Sequence, residues 1–66
     1  MAIKPMDQYF DRIIEANKKR KYKDIPFLLD MLDTRQQQEL VKYLKLRAID
    51  ENIKSTLTKV LLLINL

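Results

Sequence analysis

Not one glycine occurs in the 66 residues of this chain. Ordinary domains carry glycine at about 7% of positions, and it is the residue that takes positive φ most cheaply in tight turns and phosphate-cradling loops. A chain without it is a poor candidate for β-hairpins, dinucleotide-binding βαβ units or P-loops. The two prolines, Pro5 and Pro26, both stand where a helix would begin. Leu, Ile, Lys, Gln and Glu are prominent in between, and all but Ile are strong helix formers. The expected fold class is therefore all-α, a small three- to four-helix bundle. Residues 1–66 form a single helical domain, either a whole small protein or an excised part of a longer one.

A chain this short buries only about 60% of its unfolded surface, so stability depends on tight packing, staples or assembly. Cysteine and histidine are both absent. No disulfide or thiolate metal site is available, and the carboxylates show no calcium-loop spacing. The expectation is no metal, no cofactor and no small-molecule substrate. Asp30 and Asp33 lie three apart, but with no histidine, cysteine or glycine loop beside them they read as helix-end charges and not as a catalytic pair. The polar N-terminus gives no signal peptide, and the run Val60 to Ile64 is far too short to span a bilayer. An intracellular protein is expected, cytoplasmic or, in a eukaryote, nuclear.

Four helical segments follow from the apolar spacing. In the first, opened by Lys4-Pro5, Met6, Phe10, Ile13, Ile14 and Asn17 make one face with Tyr9 at its edge. A short second segment runs from Pro26 to about Leu32. Pro26 is placed at its first position and Ile25 is pushed out of the α region. Phe27, Leu28, Met31 and Leu32 recur there at helical spacing, and two turns need tertiary support to persist. Thr34 with Gln37 makes a capping box, and Asp33 with Gln36 offers the same one register earlier. The third helix then extends from about Arg35 to Ala48, burying Gln37, Leu40, Val41, Leu44 and Ala48, flanked by Tyr43 and Leu46. Asp50, Glu51 and Asn52 interrupt the pattern and supply a cap for a fourth helix, although without glycine or proline there the third and fourth segments could instead run on as one.

The run Lys18-Lys19-Arg20-Lys21-Tyr22-Lys23 is the sharpest charge feature, five cations in six residues of a chain whose net charge is +4. It reads either as a solvated connection between helices or as a contact for nucleic acid. In the second case the cations would meet phosphates and Tyr22 would stack on a base. A helix-turn-helix reader built on Arg35, Gln36, Gln37 and Gln38 is disfavoured by Asp30 and Asp33 just before them.

In the fourth helix Ile53, Leu57, Val60, Leu61 and Ile64 fall on one stripe and are expected in the core. Leu62, Leu63 and Leu66 carry apolar surface beyond that stripe. Only Lys54 and Lys59 would serve the basic face of a membrane-surface helix, which makes that role a weak one. The expected function is a non-enzymatic protein–protein interaction module, a small helical adaptor or regulator. It would bind a protein partner or a second copy of itself through Leu62, Leu63 and Leu66, a surface that Phe27, Met31 and Tyr43 would extend. The alternative is a small nucleic-acid-binding protein contacting phosphates through Lys18 to Lys23.

Overall fold

A computed structural model describes residues 5–64, and Leu66 lies outside them. The described residues form four helices and no strand: α1 Pro5–Lys18, α2 Asp24–Asp30, α3 Thr34–Leu46 and α4 Glu51–Ile64. Together they make a small all-α bundle of 31 × 25 × 19 Å. The last helix organises it: α1, α2 and α3 each pack against α4, and α1 also packs against α2. The core holds Phe10 and Ile13 from α1, Ile25 and Leu29 from α2, Leu40 and Leu44 from α3, and Val60 from α4.

Helix α1 follows its apolar stripe, with Asp7 in the first turn and Lys18 in the last, each complementing the macrodipole. Its end is closed without glycine. Arg20 takes φ 60, its N–H donates to the Asn17 carbonyl at 3.1 Å, and the Lys21 N–H donates to the Ala16 carbonyl at 2.8 Å. These are the paired bonds of a left-handed C-cap, a position that usually falls to glycine because a Cβ there costs about 1–2 kcal/mol. The basic run is thus a defined turn. Asp24 N–H to the Lys21 carbonyl (3.0 Å) leads it directly into α2.

Three expectations are corrected here. First, α2 begins at Asp24, so Ile25 is helical and Pro26 is the third residue of the helix. Proline is still tolerated there because the first-turn N–H groups have no intrahelical acceptor. Full burial of Ile25, worth about 1.5–3 kcal/mol, outweighs the local bias against α before proline. The helix also ends at Asp30, and its inner face is Ile25 and Leu29, while Phe27 and Met31 point to solvent.

Second, the capping box uses the earlier register. Asp33 Oδ1 accepts from the Gln36 N–H at 2.8 Å, and Gln36 Oε1 accepts from the Asp33 N–H at 3.0 Å. Gln37 is drawn elsewhere: its Nε2 donates to the carbonyls of Leu29 (3.0 Å) and Leu32 (3.3 Å), closing the end of α2. Helix α3 keeps Leu40, Val41 and Leu44 buried, as their spacing predicts. It stops at Leu46, leaving Ala48 in the turn before α4.

Third, the buried stripe of α4 is rotated by one residue. Thr56 and Val60 are fully buried, Ile53, Leu57 and Ile64 are half-buried, and Leu61 is 37% exposed. Thr56 can enter the core because its Oγ1 donates to the Asn52 carbonyl at 2.7 Å, which removes the cost of an unpaired hydroxyl. Asn52, in turn, is held at the start of α4 by Asp50, whose Oδ1 accepts the Asn52 N–H at 2.7 Å.

A candidate protein-interaction surface

Leu62 and Leu63 stand at the end of α4, 75% and 50% exposed. They are uncovered because α4 spends its inner face on three neighbours at once, and α2, seven residues long, is too short to wrap around to its outer side. Leu63 and Ile64 border a shallow depression of ≈ 210 Å³ whose other walls are Pro26, Leu29 and Asp30 of α2 and Gln37 of α3. Burying a leucine from full exposure is worth about 1.5–3 kcal/mol, so covering these partly exposed side chains would recover a part of that each. Leu66, the third leucine of the expected surface, falls outside the described residues.

Of the side chains expected to extend that surface, Phe27 (73% exposed) and Met31 are open on α2. Tyr43 is not free to join them. Its ring packs on Phe10 with centroids 5.3 Å apart and lies under the Arg47 guanidinium at 3.9 Å. Its Oη donates to Asp11 Oδ1 at 2.7 Å. Burial, and then the hydrogen bond to and the charge of Asp11, push the phenol up to about 12. Two exposed apolar residues escaped the sequence reading: Leu46, taken as a flank of the buried face, and Ile49 in the α3–α4 turn. Ile49 belongs to no periodic segment, so helical spacing carries no signal for it.

The residues of the basic run, Lys18 to Lys23, are all exposed. Lys19 Nζ pairs with Glu15 at 3.7 Å. The Tyr22 ring carries Lys59 Nζ at 4.9 Å from its centroid, so one of its faces is already occupied. Among the described residues the other four cations have no carboxylate within 4.0 Å. No group of three or more potential metal ligands occurs among the described residues, and no helix there is long and apolar enough to cross a membrane.

Compared with protein-family models, curated proteins and solved structures, the chain matches none of them.

Proposed function

We propose that this chain is a non-enzymatic protein–protein interaction module that docks through the end of α4, with Leu62 and Leu63 as its apolar anchors. The observation that carries the reading is their exposure on α4, against which α1, α2 and α3 all pack. A surface built on that hub is held rigidly, which limits the entropy lost on binding. Sedimentation across concentration, with and without Leu62→Ser/Leu63→Ser, tests it. The expected result is a folded, helical double variant that has lost self-association or partner binding. A double variant that unfolds while the parent is monomeric would reassign both leucines to the core.

The exposed cations of the α1–α2 turn support the alternative of a nucleic-acid contact. Salt titration separates the two, because counterion release makes phosphate binding fall steeply with salt while apolar association does not.

A further inference from the structure

The turn that carries the basic run also closes one end of a wide-mouthed groove of ≈ 530 Å³ between α1 and α2. One wall is a stripe of α1 and its last turn: Arg12, Glu15, Ala16 and Lys19, at i, i+3, i+4 and i+7. The opposite wall is Asp24, Phe27 and Leu28 at i, i+3 and i+4 on α2, and Lys21 sits in the turn between them. Ala16, Leu28 and the open ring of Phe27 make the lining apolar. Tyr9 Oη fixes Leu28 by donating to its carbonyl at 2.6 Å.

Cations bound the groove lengthwise, since Arg12 and Lys19 are two helical turns, about 10 Å, apart. Glu15 is tied to Lys19, Lys21 lines the closed end, and Arg20 and Lys23 are exposed beside it in the same turn. Counting the groove and its turn together, five cations (Arg12, Lys19, Arg20, Lys21 and Lys23) stand against Glu15 and Asp24.

We propose that this groove is a docking site for an acidic amphipathic segment of a partner protein, distinct from the leucine face of α4. The segment is helical, with an apolar pair resting on Ala16, Leu28 and Phe27. Carboxylates two turns apart reach Arg12 at one end and Lys19 and Lys21 at the other. That pattern, an acid at i, apolar residues at i+3 and i+4 and an acid at i+7, complements the α1 wall in both charge and spacing. A nucleic-acid strand fits less well, because its phosphates would face Glu15 and Asp24 while the apolar lining stayed unfilled. The basic run then sets orientation and encounter rate, and Phe27 holds the complex together.

The test is selection of a random-peptide display library on the immobilised chain, followed by fluorescence-anisotropy titration of the enriched peptides. Amide chemical-shift mapping, and a parallel titration with single-stranded oligothymidylate, complete it. The expected result is enrichment of peptides pairing acidic with apolar residues, with shifts centred on Ala16, Lys19 and Phe27. Phe27→Ser, which touches an exposed side chain and leaves the circular dichroism unchanged, should weaken binding about tenfold or more. Arg12→Glu should weaken it most at low salt. Leu62→Ser should leave it unaltered, so failure here is separable from failure of the α4 surface. No enrichment, binding indifferent to Phe27→Ser, or oligothymidylate binding tighter than any peptide would each overturn the proposal.

Discussion

Asn17 donates from Nδ2 to Oδ1 of Asn52 at 2.9 Å, joining the last turn of α1 to the first turn of α4. Asn52 returns the link through Nδ2 to the Ile14 carbonyl at 3.2 Å, and its own carbonyl receives Thr56. The arrangement is unequal. Asn17 is buried and its Oδ1 accepts nothing from the described residues, whereas the side chain of Asn52 is satisfied on both atoms. Asn52→Ala removes both side-chain bonds and leaves the buried Asn17 amide only the Asn52 carbonyl at 3.3 Å, and is expected to cost about 1–3 kcal/mol. Asn17→Leu removes an unpaired acceptor along with its donor, and the Asn52 Oδ1 it frees is only half-buried and can turn to water, so it should cost less. Urea unfolding of the two variants checks the order, and the reverse order would mean that packing around Asn17 outweighs the network.

Asp33, and not Thr34, caps α3. Asp33→Ala is expected to lose about 1 kcal/mol, a fall of about 4–8 °C in the melting midpoint for a domain of this size. Thr34→Ala should leave the melt nearly unchanged. Equal losses at the two positions would argue that both capping registers are populated.

Arg20 holds a left-handed conformation in a chain that has no glycine to put there. Arg20→Gly relieves the Cβ clash, but the freer unfolded chain offsets part of the gain, leaving a net stabilisation of about 0.5–1 kcal/mol. Thermal unfolding is the measurement. A lower midpoint would show that the Arg20 side chain contributes more than its backbone costs.

The raised Tyr43 phenol makes stability depend on pH at the alkaline end. Its unfolded value is 10.0 and its folded value about 12, so the folded state holds this proton more tightly. The stabilisation is complete below pH 10 and is lost as the pH climbs towards 12. Tyrosinate absorbance should show one phenol of the parent ionising late, together with loss of helicity. Tyr43→Phe should remove that late step.

On α4 the core position is Val60. Val60→Ala, at a fully buried site, should cost about 2 kcal/mol. Leu61→Ala removes more atoms from an exposed position and should cost under about 1 kcal/mol. Chemical denaturation of both variants decides it, and a larger loss at Leu61 would return the stripe to its expected register.

How legible each element was in the sequence follows from how many independent signals fixed it. Leu40, Val41 and Leu44 could be placed because α3 is long enough for one period to dominate. The break before α4 was readable from Asp50 and Asn52, which indeed form the cap. In α2 two turns allow two faces, and only the neighbouring helices choose Ile25 and Leu29 over Phe27 and Met31. Thr56 was missed because a hydroxyl reads as surface until its acceptor is known, and that omission moved Leu61 inward. Leu62 and Leu63 were visible as apolar residues in excess of any stripe. The groove was not visible, since its walls come from separate helices, and the connection expected between them gave no sign of the left-handed cap at Arg20 that sets their approach.

Because α4 is the shared neighbour of α1, α2 and α3, the order of synthesis matters to this molecule. Until Val60 and its helix are made, Leu40 and Leu44 lack the element that packs over α3. Before α4 is present, the most extensive packing left is that of α1 on α2. The bundle therefore cannot close before α4 is made, and a chain halted in the α3–α4 turn would present its core to chaperones and proteases.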